Sequence, residues 1–587
     1  MRAAGAPSEG LLAAGRAAGL SERQVGILAG RGYDAPQLGG LLGRPEDALP
    51  DPHLLPDAAI VVERFRRVRE RDERVLVFGD FDADGLTGLA VVTLALRRLG
   101  IVVEVHVPSR VADGHGLSRR AVDEAAELGC SVIVTVDCGT ASALEIALAA
   151  EHGIDVIVTD HHHVPPTLPP ALAIVNPQRA DSAYPDRGIS GAGVAFDVAR
   201  LLFAELGDPG MKRAALELAE LAAIGTVADV APLRGENRAI VTLGLARLRS
   251  SPRPGLAAIL ERAKVPPERV DAETLGFVIA PRLNAAGRLG DATVAARLLL
   301  TDDPAEAADL ATQLETTNLE RRALLDAALA DARATGMPDG APPSDRVITL
   351  AGPWSPGIVG LVAGKLAEQF GRPAIVASNE AEPWRVSARS SAGFDLARAF
   401  EACADLLERH GGHRDAAGCT ISPAAWDAFR QRLNELGAGI PAPDPTPSLD
   451  VDVAVAATDV DYRLFREIAV LEPTGPGNPE PLVAISGLEV VRARLVTGDH
   501  TQLTVRKGLE VLDVIAFGRP EVATDVAAGD RVDAVVRLAS RVFGGFESLQ
   551  LELRDAAPSG EAPWLTVDAG MPDAASARTV GAAAGSA

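Results

Sequence analysis

Apolar positions in the first third of the chain follow two alternating patterns. Short apolar runs at residues 75–79, 101–107, 132–136, 156–159 and 172–175 have the length and composition of strands buried on both faces. The first four runs are separated by stretches in which apolar side chains recur every three or four positions, as on one face of a helix. Strands that alternate with helices are typical of βαβ units. The sequence therefore predicts an α/β fold with a doubly wound parallel sheet.

A long helix and a second α/β unit follow this sheet. Asp303 and Pro304 place an acidic cap and a proline at the start of a helical pattern that continues to about Arg333. Beyond it, apolar runs at 347–350 and 374–377 again alternate with helical stretches. We therefore expect a rigid spacer helix that joins the first domain to a smaller α/β domain.

The pattern changes after a Pro-rich linker at residues 441–450. Short alternating runs between residues 482 and 555, separated by Gly and Asp turns, predict a small β-barrel that resembles an oligonucleotide-binding (OB) fold. An Ala-, Gly- and Ser-rich tail predicts disorder. The domain plan is a lead-in at 1–55 that packs on the main domain, an α/β domain at 56–300, a connecting helix at 301–335, a smaller α/β domain at 336–440, a barrel at 441–560 and a tail at 561–587.

Composition narrows the class of protein. A chain of 587 residues is too long for a single core. It has no apolar run long enough to cross a membrane and no secretory signal at its start. Four cysteines without a CxxC pair indicate reduced thiols, so we expect a cytoplasmic protein. The net charge of -23 argues against broad electrostatic capture of nucleic acid, so any contact with phosphates must be local.

Carboxylates and histidines collect where predicted strands end, in the segments DFDADG, VDCG and TDHHH. Ligands of open α/β sheets bind at the carboxyl ends of the strands, so these segments are expected to share a site. Two carboxylates 4 Å apart repel by about 4 kcal/mol at an effective dielectric of about 20, so either their pKa values rise or cations bind. Carboxylates with imidazoles suit Mn²⁺, and also Zn²⁺ or Fe²⁺. Turn-forming loops are the alternative interpretation.

A fourth segment, VADVAPL, carries Asp229 alone among apolar residues, as a helix cap or as a further ligand. Together the four segments resemble the four motifs of the DHH phosphoesterase superfamily. The segments IVNPQ, GAGVAF and APRLNAAGRLGDA narrow the resemblance to the RecJ exonucleases. WSPGIVGLVAGKL, VSARS and GGHRDAAG resemble the DHHA1 domain, and LEPTGPGNPEP and ESLQLELRD resemble the OB domain that follows it. The resemblance spans about residues 20 to 555.

The resemblance implies a 5′-to-3′ exonuclease that acts on single-stranded DNA in recombination and repair, releases 5′-mononucleotides and uses two Mn²⁺ or Mg²⁺ ions. Two divalent ions would also balance the charge of four ligand carboxylates. In the family's arrangement Asp84 or Asp137 bridges the ions, His162 contacts the scissile phosphate and Asp160 orients an imidazole. Asp80 is either a ligand through water or a turn-former. The implied metal ligands are Asp80, Asp82, Asp84, Asp137, His161 and Asp229.

The resemblance also implies a substrate groove. An Arg fork and a hydroxyl suit a terminal phosphate. Structural salt bridges remain an equal alternative for the arginines. The implied substrate residues are Arg110, Ser387 and Arg389 near the 5′ phosphate, Gly411, Gly412 and His413 near the phosphate chain, and Arg282, Asn284 and Arg288 lining or bracing the cleft. Two positions depart from the family: His115 replaces a Tyr that stacks on a base, and Ser355 replaces a His.

The expected partners are single-stranded DNA, a RecQ-type helicase and a single-strand-binding protein, with the chain itself a monomer. Two other functions compete with this interpretation. A DHH phosphodiesterase acting on short oligonucleotides or cyclic dinucleotides would usually lack a barrel after the GGH segment. A non-catalytic scaffold resembling Cdc45 would have lost metal ligands, whereas every ligand position is filled in this sequence.

Overall fold

The computed structural model describes residues 7–110, 113–336, 345–391, 393–441, 448–543, 546–560 and 578–581. The chain divides into two compact units. One unit comprises Pro50–Ala231 and Ile240–Asp444, and the other comprises Met1–Leu49, Pro232–Ala239 and Pro445–Ala587. Apart from 578–581, the tail expected to be disordered lies outside the described residues.

Three short helices begin the described chain: α1 (Glu9–Ala17), α2 (Glu22–Gly30) and α3 (Ala35–Leu42). Ser21 and Asp34 accept backbone hydrogen bonds at the starts of α2 and α3, and a Gln at the third helical position completes a capping box in each. These local signals define where the helices start.

The first sheet contains the five strands that the sequence predicts, with ends that differ by at most two residues. All its pairings are parallel, in the order β2-β1-β3-β4-β5, which confirms the doubly wound sheet. Its strands are β1 (Arg74–Gly79), β2 (Val102–His106), β3 (Cys130–Val136), β4 (Asp155–Thr159) and β5 (Ala173–Val175).

Helices cover this sheet. The central helix α5 is buried on all sides from Ala83 to Leu96, since it packs against the sheet, α8 and α10, which explains its small and apolar residues. The helices are α4 (Ala58–Arg71), α5 (Ala83–Arg98), α6 (Arg119–Glu127), α7 (Ala143–Glu151), α8 (Gly191–Leu206), α9 (Met211–Ala214), α10 (Ala219–Ala228), α11 (Gly235–Ser250), α12 (Pro254–Ala263), a π-helix (Thr274–Ile279), α13 (Ala280–Leu289) and α14 (Thr293–Leu300).

The predicted spacer is a single 33-residue helix, α15 (Pro304–Gly336). A second sheet follows in the order β6-β7-β8-β10-β9, in which only β6 and β7 are parallel. Its elements are β6 (Ile348–Gly352), α16 (Val359–Phe370), β7 (Ala374–Ser378), β8 (Trp384–Arg389), α17 (Leu396–Glu401), β9 (Arg409–Gly412), β10 (Ala416–Ile421) and α18 (Trp426–Leu436).

The predicted barrel is also present. Strands β13, β14, β15, β17 and β16 pair in succession, and β16 pairs back to β13 to close the barrel. The elements of this region are β11 (Ser448–Val451), β12 (Val453–Ala456), α19 (Tyr462–Ile468), β13 (Val483–Val496), β14 (His500–Lys507), β15 (Glu510–Ala516), α20 (Val522–Asp525), β16 (Arg531–Phe543), β17 (Phe546–Pro558) and β18 (Arg578–Gly581).

Helices α1–α3 of the lead-in pack with the barrel, whereas the sequence predicted that the lead-in packs on the main domain. Its last residues, from Pro50, contact that domain, where His53 Nε2 lies 3.0 Å from Glu205 Oε1. The buried residues Leu11, Val25, Leu28 and Leu38 of α1–α3 belong to the same hydrophobic core as the barrel strands. Arg31 of the lead-in forms an ion pair with Asp452, at 2.8 Å between Nε and Oδ1. The apolar stripes of α1–α3 are typical of any packed helix, so the sequence did not indicate which domain would cover them.

Across the described ranges, no helix combines the length and the apolar character that crossing a bilayer requires.

Candidate active site

The DFDADG segment turns directly from β1 into α5. The side chain of Asp82 caps α5, because its Oδ1 accepts the backbone N–H groups of Asp84 at 3.0 Å and Gly85 at 3.1 Å. A Cβ at Gly85 would lie 2.5 Å from the carbonyl oxygen of Asp80, so this turn needs glycine. The turn places Asp84 in the first turn of α5, where it is buried.

Asp84 is held by the start of another helix. Its two carboxylate oxygens accept the backbone N–H groups of Gly191, at 2.7 Å, and Ala192, at 2.9 Å, in the first turn of α8. The positive end of a helix stabilises a negative charge at this position. A Cβ at Gly225 of α10 would lie 2.5 Å from Asp84 Oδ1, so glycine leaves the room that the carboxylate occupies.

Asp137 follows β3 with a left-handed backbone, at a φ of 62°. Non-glycine residues rarely adopt this conformation, and such strain is concentrated at functional sites. Its Oδ1 lies 3.1 Å from Nε2 of His161, which follows β4. A Cβ at Gly191 of α8 would lie 2.5 Å from the same oxygen. Gly191 therefore makes room for Asp137, as Gly225 does for Asp84.

His161 lies at the centre of the cluster. Its Nε2 is 3.8 Å from Asp84 Oδ2, and its Nδ1 is 3.8 Å from Asp229 Oδ2. Asp229 is the C-cap residue of α10. The sequence did not decide whether it would be an N-cap or a metal ligand. The carboxylate cluster is defined here as Asp82, Asp84, Asp137, His161 and Asp229. Its members come from the ends of β1, β3, β4 and α10.

A second group of residues fixes His162. Asp160 Oδ1 lies 2.8 Å from His162 Nδ1, and its Oδ2 accepts the N–H of Thr140 at 3.0 Å. The hydrogen bond to Asp160 raises the pKa of His162 to about 9. Burial alone would raise the pKa of Asp160, but its hydrogen bonds from His162 and Thr140 hold that pKa below its ordinary value. His162 is thus a half-exposed cation at neutral pH.

The carboxylate cluster has the properties of a divalent-cation site. Burial, reinforced by repulsion from neighbouring acids, raises the pKa of Asp84 to about 7 and that of Asp137 well above its ordinary value. Asp137 Oδ1 and His161 Nε2 are buried, and although they lie 3.1 Å apart, neither forms a hydrogen bond with the other or with any other described residue. Leaving such atoms unpaired costs about 1–3 kcal/mol each. A carboxylate and imidazole donor set suits Mn²⁺ and the carboxylates suit Mg²⁺, so these residues fit divalent ions.

Asp80 is held by hydrogen-bond partners outside this cluster, although its charge contributes to raising the pKa of Asp82. Its Oδ1 accepts the N–H of Phe81 at 2.7 Å, and its Oδ2 lies 3.1 Å from Nδ1 of His115. The imidazole of His115 also contacts the ring of Phe81, with ring centroids 4.6 Å apart, while its side chain remains 68% exposed. His115 therefore offers an accessible ring face beside the DFDADG turn.

Three guanidinium groups form what we call the arginine pocket: Arg110, Arg288 and Arg389. Arg110 lies over the ring of Phe81, 5.0 Å from its centroid, and so adjoins the DFDADG turn. A Cβ at Gly360, in the first turn of α16, would lie 3.5 Å from Ser387 Oγ and 3.6 Å from Arg389 Nη2. Arg288 donates to the carbonyl of Gly357 at 3.3 Å.

The arginine pocket holds no carboxylate partner within 4 Å among the described residues. Burial lowers the pKa of Arg110 and of Arg389. Burial, together with the guanidinium groups of Arg110, Arg389 and Arg321, lowers the pKa of Arg288 to about 9. Asp80 and Asp82 favour the charged form of Arg110 from beyond ion-pairing distance, but burial outweighs them in its pKa. Desolvated cations without a direct ionic partner are stabilised when an anion binds, so this pocket is suited to a phosphate.

Arg282 and Asn284 hold the elements that support the site. Arg282 Nε donates to Glu315 Oε2 at 2.5 Å, which is the salt bridge that the sequence left as the alternative. Asn284 Oδ1 accepts the N–H of Ala83 at 2.8 Å and so fixes the turn into α5. These two residues tie α13 to α15 and α5.

The GGH segment brings the second α/β domain to the cluster. Gly411 and Gly412 end β9, and the imidazole of His413 stacks on that of His162, with ring centroids 6.0 Å apart. Gly412 has a φ of 137°, and a Cβ there would lie 2.4 Å from the Cα of Ala417. Burial and the nearby His162 lower the pKa of His413, so the outer imidazole is neutral beside a cationic one.

Sequence reasoning missed several residues that shape the site. Gly191 and Gly225 make room for the carboxylates, and Asn318 and Arg321 of α15 adjoin the arginine pocket. The GAG start of α8 was visible as a glycine-rich helix entry. The Asn318–Arg321 pair lay within an uninterrupted helical pattern and had no comparable signal.

Three family models match the chain. They are the N-terminal domain of the DHH family at residues 74–226, the DHHA1 domain at 345–438 and the RecJ OB domain at 451–555. Fold and site together define a metal-dependent phosphoesterase of the DHH and DHHA1 class with an added OB domain.

The single-stranded-DNA-specific exonuclease RecJ of Bacillus subtilis is 35% identical over 562 residues, which are 93% of this chain and 70% of that protein. The chain belongs to the RecJ family of single-stranded-DNA-specific exonucleases. The crystal structure of RecJ in complex with Mn²⁺ from Thermus thermophilus matches with a TM-score of 0.78 and 33% identity, covering 93% of this chain and 77% of that one. The complex of RecJ with Mg²⁺ from the same organism matches with a TM-score of 0.72 and 32% identity, covering 93% and 76%.

Proposed function

We propose that this chain hydrolyses single-stranded DNA from its 5′ end and releases 5′-mononucleotides, in recombination and repair. One observation carries the proposal: in a single compact unit, a carboxylate cluster with two buried ligand atoms that form no hydrogen bond lies beside an arginine pocket in which no guanidinium group has a carboxylate within 4 Å among the described residues. The cluster is suited to cations and the pocket to a phosphate. A phosphodiester chain bound by both would have a linkage at the metal site.

Asp82, Asp84, Asp137, His161 and Asp229 would hold two ions of Mn²⁺ or Mg²⁺, with Asp80 contributing through a water. Donor atoms of Asp84, His161 and Asp229 lie within 4.8 Å of one another, as do those of Asp137, His161 and His162. Bound there, such ions supply an activated water, neutralise phosphate oxygens and stabilise the leaving oxygen. The chain's own contribution is to hold the ligands still. Two backbone N–H groups fix Asp84 and the cap of α5 fixes Asp82, whereas Asp229 is positioned by its backbone as the residue that ends α10.

His162 contacts the scissile phosphate in this proposal. Its hydrogen bond to Asp160 keeps it protonated near neutral pH and points its remaining N–H away from Asp160. A cationic donor at the edge of the cluster stabilises negative charge that grows on the phosphate oxygens. His413 stacks on the other side of this imidazole and limits its movement.

The direction of degradation follows from where the strand end is bound. Arg110, Ser387 and Arg389 bind the terminal 5′ phosphate: Ser387 and Arg389 lie at the first turn of α16, which has no side-chain cap, and the guanidinium group of Arg110 contributes to lowering the pKa of Arg389. Because Arg110 packs on Phe81, between Asp80 and Asp82, a phosphate held there leaves the first linkage near the cluster. His115 stacks on the adjacent base with its exposed ring.

The OB barrel would hold the strand further from its end, as is usual for this fold. A RecQ-type helicase and a single-strand-binding protein would deliver the substrate in the cytoplasm to a monomer of this chain. These partner assignments rest on the family resemblance.

Digestion of end-labelled single strands with Mn²⁺ tests the proposal. A strand labelled at its 5′ end should release labelled mononucleotide at once, whereas a 3′ label should stay on a shortening strand. A matched duplex without a single-stranded 5′ end should persist. Release of the 3′ label first, or cleavage of dinucleotides with long strands left intact, would contradict the proposal.

A further inference from the structure

The long helix α15 presents one buried stripe, and this stripe contains a polar interruption. Leu310, Leu314 and Leu325 are apolar members of the stripe, whereas Asn318 and Arg321 occupy positions on the same face between Leu314 and Leu325. A spacer helix needs no polar pair at this depth. The interruption therefore requires a separate explanation.

Asn318 orients Arg321. The side chain of Asn318 is 4% exposed, and its Oδ1 accepts hydrogen bonds from Arg321 Nη2 at 2.9 Å and from Nε at 3.3 Å. The remaining guanidinium N–H groups have no carboxylate within 4 Å among the described residues. The next residue, Arg322, is exposed.

Several contacts locate Arg321 beside the arginine pocket. The salt bridge from Arg282 to Glu315 joins α13, which carries Arg288, to α15, which carries Arg321. Their neighbours Leu289 and Leu325 pack in one hydrophobic cluster, which includes the start of α16. The guanidinium group of Arg321 also contributes to lowering the pKa of Arg288.

The lack of a direct ion pair is informative because acids are plentiful, and Asp326 acts on Arg321 only from beyond 4 Å. The chain has 80 acidic and 57 basic residues, yet neither Arg288 nor Arg321 pairs with a carboxylate in the described part of the structure. Partly buried cations that repel one another are unfavourable unless an anion joins them. Arg110, Ser387 and Arg389 already account for one terminal phosphate, so Arg321 has capacity for another.

We propose that Arg321, oriented by Asn318, binds an internucleotide phosphate of the substrate strand, next to the terminal phosphate held by the arginine pocket. This inference rests on the proposed function. It adds to the terminal-phosphate contact a second contact with the strand's phosphate backbone, made by α15. The strand is then held by the spacer helix as well as by the two α/β domains. Arg321 is a binding residue, and Asn318 is a positioning residue that acts through it.

The test measures binding of a fluorescent single strand in a chelator, so that no hydrolysis interferes, and compares Arg321→Ala with Arg322→Ala. Loss of a charged hydrogen-bonding contact should weaken binding about 10- to 100-fold in Arg321→Ala. The slope of log affinity against log salt should fall by about 1. Arg322→Ala, an adjacent exposed cation, should stay within about threefold of the wild type. Equal binding by both variants would overturn the inference.

A strand series with one neutral methylphosphonate linkage, moved stepwise from the 5′ end, identifies the contacted phosphate. At one internal position the wild type should lose about as much affinity as Arg321→Ala, and the variant should lose almost nothing more, since the two changes remove the same contact. Additive losses at every position would overturn the inference. If Arg321→Ala is poorly folded by circular dichroism, Arg321→Gln serves in its place.

Asn318→Ala separates orientation from a structural role. It should weaken binding less than Arg321→Ala and have no effect in an Arg321→Ala background. Hydrolysis with Mn²⁺ is measured separately: Arg321→Ala should raise KM about 10-fold with kcat within about threefold. Failure of the wild type to digest strands in that assay would remove the proposed function, whereas normal digestion with unchanged binding by Arg321→Ala would remove only this inference.

Discussion

Burial shifts the pKa values of the two charged regions of the site in opposite directions. In the carboxylate cluster it raises the pKa of Asp84 and Asp137, and in the arginine pocket it lowers the pKa of Arg110, Arg288 and Arg389. In both regions, burial and repulsion between like charges outweigh the contacts that favour the ionised forms. The comparison indicates that the ligands complete the site: divalent ions complete the cluster, and the phosphate chain completes the pocket.

The two regions also differ in how they are built. The cluster is assembled from turns at the ends of parallel strands and is fixed by backbone N–H groups, as for Asp82 and Asp84. The pocket is assembled from side chains of distant elements, among them α13 and β8. Loss of a ligand should therefore remove chemistry from the cluster, whereas loss of one cation should only weaken binding in the pocket.

The largest effect is expected for Asp137→Ala. Hydrolysis of single-stranded DNA with Mn²⁺ should fall more than about 100-fold, because this carboxylate is a predicted ligand of the ions that activate water. The fold should remain, since the change removes an acid that burial already disfavours in the ion-free protein. Asp309→Ala, which removes an exposed acid of α15, is the control. Activity above a hundredth of the wild type would remove Asp137 from the metal site.

Metal addition should stabilise the protein through the cluster. At 100 times the dissociation constant, Mn²⁺ should raise the free energy of unfolding by about 2.7 kcal/mol, because only the folded state presents the assembled ligands. Thermal unfolding of the wild type and of Asp137→Asn, with and without Mn²⁺, measures this. An equal shift in both proteins would show that the ions bind elsewhere.

Removal of one pocket cation should have a smaller, end-specific effect. Arg389→Ala should weaken use of 5′-phosphorylated strands by about 1–3 kcal/mol, the scale of a charged hydrogen bond. Strands with a 5′ hydroxyl should be affected much less, because they lack the terminal phosphate. Initial rates on the two kinds of strand give the comparison, with the exposed Arg398→Ala as control. Equal losses on both would exclude Arg389 from terminal-phosphate binding.

The smallest effect concerns a buried acid outside the cluster. Burial raises the pKa of Glu220 to about 7 from 4.5, although nearby arginines lower it in part. A raised pKa in the folded state stabilises the protein at low pH, and this stability is lost as pH rises through the folded pKa. Ionisation of Glu220 should therefore lower the free energy of unfolding by about 1 kcal/mol between pH 6 and pH 8.

Glu220→Gln should remove that pH dependence, which urea unfolding at both pH values would measure. Because Glu220 is not part of the cluster, Mn²⁺ should stabilise this variant as much as the wild type. A Glu220→Gln protein with an unchanged pH slope would show that Glu220 does not titrate in this range. If Mn²⁺ no longer stabilised Glu220→Gln, Mn²⁺ binding would depend on a buried acid outside the carboxylate cluster, which would contradict this prediction.

Much of the fold was predictable because its signals are local. Strand and helix periods, the Asp303–Pro304 start of α15 and the alternation in the barrel depend on neighbouring residues, and the structure has elements at those positions. The DFDADG and TDHHH turns were recognisable for the same reason, since parallel strands bring their carboxyl ends to one edge of a sheet.

The tertiary structure alone decided what packs against what. It packed α1–α3 into one hydrophobic core with the barrel strands. It also made the start of α8 the support of Asp84 and brought Arg321 near Arg288. These contacts join residues that are far apart in sequence, and an apolar stripe or a single polar side chain does not specify its partner. The local chemistry was therefore contained in the sequence, whereas its arrangement into one site depended on long-range packing.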